Sequence, residues 1–340
     1  MLLINTKNTV KYAARYGIIS IDIIPALIFI CAAEIPKKII HFPRRYPVMD
    51  LIVFTLTAFA SYWYETEIFL FFGGLFLAAR FLYFWYRPLL CAWPASRGLA
   101  GRLVLGLLPA AAFMIILFTL QTMASYDVVG FWVFFYIVLG YAWLLGGMHL
   151  LERFDLASAC DAVYLDNKAA LFPMVGGFIG VTLIYAGANI GDGPGWWVIL
   201  IAGGLGFAVW FCLALLLGHC CGITERITVG RDMGCGIRFG AYLIASGLIL
   251  ARASGGDWTS LYYTVLEFTV GWPVLPLALF AFLTEKLFSF ALKDGYRSEA
   301  AGVLLSLLCA GLYLAFAYIA LSLPPSVTVN LILKIREVMP

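Results

Sequence analysis

Glu267 is the first residue whose type and place suggest chemistry. It sits in a long apolar segment between Trp258 and Lys286, nine residues after Trp258. At 1.5 Å per helical residue that is about 13–14 Å along a helix, near the middle of a bilayer. An acid at a helix centre costs roughly 2.5–3.5 kcal/mol on insertion scales, so it is expected to face protein rather than lipid. Ser260, Tyr263 and Thr264 fall at i−7, i−4 and i−3, on the same helical stripe. Beyond the acid the stripe weakens to Val270 and Gly271, and Gly271, Pro273 and Pro276 should break or kink the helix and free carbonyls. Glu267 with Tyr263 and Thr264 is therefore the candidate ion or proton site. The structural alternative is a protonated glutamate, or one paired with Arg80 or Arg252.

A second constellation is Asp166-Asn167, with Arg231-Asp232 further along. Asp166 and Asn167 stand where a helix begins, and either side chain can cap free backbone N–H groups. These four residues are also candidates for a cytoplasmic mouth that binds an ion or a partner.

Other chemistry was sought and is weak. His219-Cys220-Cys221 with Cys235 lacks the C-x-x-C spacing of a metal site. Gly203-Gly204-Leu205-Gly206 lies within an apolar run, with no Lys-Ser or Lys-Thr after it, so helix packing explains it better than a phosphate loop. No nucleophile–base pair stands out, so no catalytic residue, cofactor or metal ligand is assigned.

The elements that carry these residues are set by composition. Of 340 residues, 63% are hydrophobic and 12% charged; mean hydropathy is +0.96. A soluble domain carries about 25% charged residues, so the surroundings of most of this chain are lipid. The expected fold is an all-α polytopic transmembrane bundle. Spans are read at 49–64, 66–86, 103–124, 129–148, 169–188, 196–218, 237–253, 258–283 and 300–323. That makes nine, or ten if 17–33 crosses instead of lying in the interface or being cleaved as a signal. The runs do not alternate apolar and polar, which excludes a β-barrel. Nothing in the charge pattern points to nucleic acid.

Lys and Arg cluster at 34–48, 87–102, 149–168, 219–238 and 284–299, which puts those loops in the cytoplasm. The opposite connections, near Glu65, Asp127, Asp192 and Asp257, are short and acidic. No cysteine falls in an outer loop, so a disulfide framework is not expected.

An internal repeat is expected at a shift of 64 residues. It pairs Asp161 with Glu225, Ala170 with Gly234, Gly176 with Gly240, Thr182 with Ser246 and Ile184 with Leu248. Two helices per unit keep orientation, so the copies would be parallel. A weaker third copy runs from Pro276 to Ala320, with Glu299-Ala300-Ala301 in the place of Lys168-Ala169-Ala170. The chain then divides into an N-terminal membrane region, 1–128, a duplicated four-helix core, 129–253, and C-terminal helices, 254–340.

Asp166-Asn167-Lys168-Ala169-Ala170 with Gly176 and Gly180 resembles the signature of a bacterial membrane family known as domain of unknown function number three-fifty. Glu225-Arg226-Ile227 to Gly247 looks like a second copy, with Arg231 or Asp232 where Asn is usual and Gly234 and Gly236 as the small pair. The resemblance covers about a third of the chain and implies inner-membrane residence and a duplicated core, but no activity. Two functions are expected from the whole reading. The first is translocation of a small ion or solute. The alternative is a structural or regulatory membrane protein that docks a cytoplasmic protein, for example in membrane stress. The bilayer is the one partner the sequence requires; self-association is left open.

Overall fold

The computed structural model describes residues 65–91, 98–192, 195–256, 267–293 and 299–323. Ten α-helices follow in order: α1 Glu65–Cys91, α2 Leu99–Thr122, α3 Phe131–Arg153, α4 Ala159–Val163, α5 Lys168–Gly187, α6 Trp196–Cys221, α7 Ile223–Thr228, α8 Met233–Ser254, α9 Val274–Lys293 and α10 Glu299–Ser322. A 3-10 turn, Thr269–Gly271, precedes α9. There is no strand among the described residues, only a single bridge between Ala124 and Gly191. Among the described residues eight helices are long and apolar enough to cross a bilayer, all except the short α4 and α7. This is the architecture of a multi-pass membrane protein. The expected spans at 17–33 and 49–64 lie outside the described residues.

Lipid leaves no solvent partner for a backbone group, so each helix must satisfy its own. Pro109, inside α2, has no N–H to give the Leu105 carbonyl one turn back. The Trp85 indole of α1 donates to that carbonyl at 3.0 Å, and the Tyr86 hydroxyl donates to Gly106 at 2.9 Å. The same proline thus pins α1 to α2.

α5 and α8 form the centre. Their apolar windows are 72% and 78% buried, against 28–50% for the other six. They run in the same direction, because Ala169 meets Gly236 at their beginnings and Gly187 meets Ala251 at their ends. Between these, the Gly176 and Gly240 backbones touch, and so do those of Gly180 and Gly247. A Cβ at 176, 187, 236 or 240 would land on backbone of the facing helix. Such close approach lets dispersion and weak Cα–H···O contacts hold helices that hydrophobicity alone cannot hold in lipid.

α10 runs parallel to α8 as well. Ser306 meets Gly234 near their starts, and Arg252 donates to the Ala320 and Leu321 carbonyls at 2.8 and 2.7 Å near their ends. At about 100° per residue, Gly234, Arg238 and Arg252 lie on the side of α8 opposite Gly236, Gly240 and Gly247. α8 is therefore sandwiched between α5 and α10.

The connections into α5 and α8 are built alike. Each has a left-handed residue, Asp155 (φ 55°) or Gly222 (φ 58°), before a short helix. A second follows it, Asp166 (φ 49°) or Arg231 (φ 50°). Then comes an N-cap, Asn167 or Asp232, whose side chain accepts from the Ala169 or Cys235 amide. Left-handed backbone is uncommon for residues other than glycine, so its recurrence at matching places is a marked local likeness.

Several helix ends differ from expectation, and two of the shifts bear on the site. α8 begins at Met233, not 237, and the last-but-one span is Thr269–Phe290 rather than 258–283. Both shifts draw charged residues into helices that the sequence assigns to loops. The reason lies in how those charges are paired.

Candidate functional site

Arg238 lies five residues inside α8, about 7–8 Å along its axis. It is 1% exposed, and Glu285 of α9 is 2% exposed. Arg238 Nε donates to Glu285 Oε1 at 2.6 Å and Nη2 donates to Oε2 at 2.8 Å. This is the two-pronged pairing that a planar guanidinium makes with a carboxylate. Its remaining nitrogen, Nη1, donates to the Ser306 hydroxyl of α10 at 2.5 Å. The guanidinium carbon stands 3.7 Å from the centre of the Phe288 ring. Three spanning helices therefore meet at one side chain.

Arg226 of α7 extends the cluster toward the loops. It donates to Glu285 Oε2 at 2.8 Å and to Asp232 Oδ2 at 2.7 Å. Asp232 Oδ1 accepts the Cys235 amide at 2.9 Å. Burial works against the Asp232 charge, but the Cys235 amide and the Arg226 guanidinium outweigh it and hold this carboxyl below its ordinary range. Two cations and two anions balance. The network runs from the loop-facing Arg226 through Glu285 to the buried Arg238, along one line of charge-assisted bonds.

An arrangement of this kind has two states available to it. Paired, it is neutral and membrane-compatible. Unpaired, each charge needs water or a replacement ion. Arg238 and Glu285 were both missed by the sequence reading. Arg238 closes a basic stretch and Glu285 stands beside Lys286, so each looks like the edge of a loop.

The two linkers that carry the residues expected to form a cytoplasmic mouth engage each other, but those residues bond to other groups rather than to one another. Asn167 is 2% exposed, and its Nδ2 donates to the Ile227 carbonyl at 2.8 Å while its Oδ1 caps α5. Arg231 Nη2 reaches the Leu165 carbonyl at 3.4 Å. Asp166 lies against Gly98. The gap between the two linkers is about 10 Å³, room for about one water. Asp232 belongs instead to the charge cluster.

Glu267 stands two residues ahead of the apolar window Thr269–Phe290. Gly271 packs on Ala253 and Leu250, in the last turns of α8. Glu267 therefore lies toward the end of the bundle far from Arg238, and the chain breaks at 269–273 just beyond it, where Gly271 and Pro273 were expected to break it. It is half-buried, and its Oε2 has no hydrogen bond among the described residues. Tyr263 and Thr264 lie outside those residues. Neither arginine suggested as a partner forms an ion pair with it: Arg80 stacks 4.7 Å from the Phe84 ring and Arg252 holds the end of α10. Among the described residues no group of three His, Cys, Asp or Glu is placed to hold a metal.

No protein-family model, no curated protein and no solved structure matches the chain.

Proposed function

We propose that this chain is a multi-pass protein of a bacterial inner membrane that translocates a small ion or solute, and that the Arg226–Asp232–Arg238–Glu285 cluster is its switching element. The observation that carries the reading is the Arg238–Glu285 pair, buried where α8, α9 and α10 meet. An ionisable residue inside a spanning helix is expensive, and such residues characteristically serve ion or substrate pathways. An apolar pair would hold these helices at least as well, since desolvation can cancel the gain from a buried salt bridge.

Two further features support the reading. The close contacts Gly176–Gly240 and Gly187–Ala251 join positions 64 residues apart, the shift at which a repeat is expected from the sequence. With the matching linkers, they support parallel two-helix repeats, a plan common among transporters. The α9–α10 pair would be the third unit. Resemblance to domain of unknown function number three-fifty is part of the same proposal, as is placing the linkers in the cytoplasm by their basic residues.

The test is flux in vesicles reconstituted with purified protein and loaded with dyes for protons, potassium or chloride. The expected result is a protein-dependent flux that Glu285→Gln reduces at least tenfold while the protein still unfolds cooperatively. If wild type passes none of these ions and no labelled amine or amino acid, translocation is wrong.

A second reading draws on Tyr164, Leu165 and Val229, which are 42%, 48% and 78% exposed on the two linkers. These fit docking of a cytoplasmic protein. Crosslinking from Cys160 in cells tests it: a single specific adduct is expected on this reading.

A further inference from the structure

The end of the bundle away from the charge cluster holds a cavity of about 340 Å³. It is enclosed by the start of α1, the α2–α3 connection and the α5–α6 connection. The Gly191 amide ties the last two together by donating to the Met123 carbonyl at 3.3 Å, and the Gly256 amide, just past α8, donates to the Ile190 carbonyl at 3.0 Å. The volume falls at the small end of ordinary ligand sites.

Its lining is one-sided in charge. Glu67 and Asp127 contribute two carboxylates, and the described lining residues include no Lys or Arg. Trp132, Tyr136 and Trp196 supply aromatic walls. Ser125 and Asn189 complete the polar wall, and Asn189 is 6% exposed. Its Nδ2 donates to the Tyr185 carbonyl at 2.7 Å, and because a carbonyl only accepts, this fixes which end of the amide is oxygen. That oxygen, Oδ1, receives no hydrogen bond among the described residues. A buried acceptor without a donor is costly, so a ligand that brings a donor gains from it.

We propose that this cavity binds a compact primary ammonium, an alkylamine in its charged form. Two carboxylates favour a cation. Aromatic faces favour an organic ammonium over a strongly hydrated metal ion. The unsatisfied Asn189 oxygen favours N–H donors, which a quaternary ammonium lacks. A monovalent metal ion alone would leave most of the volume to water.

The site does not depend on translocation, because binding is read without flux. Isothermal titration of the purified full chain in detergent with propylammonium is the experiment, with 1-propanol, tetramethylammonium and sodium as comparison arms. Saturable binding of propylammonium is expected, with none of 1-propanol and binding at least about tenfold weaker for tetramethylammonium and sodium. Glu67→Gln should weaken propylammonium about tenfold, and Asp127→Asn, at an exposed position, should weaken it in the same direction without affecting folding. Three outcomes overturn the proposal: no saturable binding of propylammonium, binding indifferent to both carboxylate variants, or sodium or tetramethylammonium bound as tightly.

Discussion

Arg238 and Glu285 are 47 positions apart in the chain and joined by two parallel hydrogen bonds of 2.6 and 2.8 Å. Removing one partner leaves the other charged and enclosed. Glu285→Ala should cost about 3–5 kcal/mol, the usual penalty for orphaning a buried charge. Arg238→Met with Glu285→Leu should recover most of that, since Arg226 keeps Asp232 as a partner. Thermal unfolding in detergent checks both. A double variant no more stable than the single would show that shape and not charge holds the three helices.

The glycines of α5 and α8 separate packing from backbone flexibility. A methyl at Gly240 would strike the Phe172 carbonyl, whereas one at Gly302 or Gly204 meets nothing within 4 Å. Gly240→Ala should therefore destabilise by about 1–3 kcal/mol, as overpacking does. Gly302→Ala and Gly204→Ala should be neutral or slightly stabilising, because alanine is the better helix former. Equal effects at all three positions, measured by unfolding in one detergent, would mean that α5 and α8 do not touch as described.

What the sequence made legible followed from lipophilicity and local backbone needs. Runs of apolar residues marked all eight described spans, and the 64-residue shift paired Gly176 with Gly240, whose backbones touch. Asn167 was readable as a cap because a polar side chain before an apolar run has few other uses. Charge misled. Arg238 and Glu285 were assigned to loops because a lone charge is costly in lipid, and the partner that removes that cost is distant in the chain. Glu267 misled in the reverse way. A count of residues from Trp258 suggested mid-depth, whereas Gly271, four residues past the acid, packs against the last turns of α8. Asn189 gave no signal, since one amide beside acidic connections looks like any loop residue.

Asp232 should make the basic end acid-sensitive. Its carboxyl is held below the ordinary 3.8 by the Cys235 amide and Arg226, against the opposing effect of burial. A lowered folded value means that the stabilisation is complete above the unfolded value and is lost as pH falls through the folded one. Unfolding temperature should be flat in this respect above pH about 5 and fall below about 4. Asp232→Asn keeps an oxygen to cap α8 but not the charge, so its curve should fall less steeply in acid. Since the side chain is 26% exposed, the loss at neutral pH should be modest, about 1 kcal/mol or less. Identical acid profiles for wild type and variant would remove Asp232 from this role.

Thiol labelling tests the orientation with residues already in the chain. Cys160 is exposed on α4 and Cys220 is exposed at the end of α6, both beside the basic linkers. Cys235 is buried, one turn into α8 and 3.8 Å from Glu285 Oε2. If the basic linkers face the cytoplasm, a membrane-impermeant maleimide should label Cys160 and Cys220 in broken cells and not in intact ones. Cys235 should stay unlabelled in both until the protein is denatured, because a reagent must first open the α8–α9 contact. Glu285→Gln is the informative partner variant, since it weakens that contact without removing volume. It should raise Cys235 labelling in broken cells several-fold while leaving Cys160 unchanged. Rapid labelling of Cys160 in intact cells would reverse the topology, and with it the end of the bundle at which the charge cluster meets the cytoplasm.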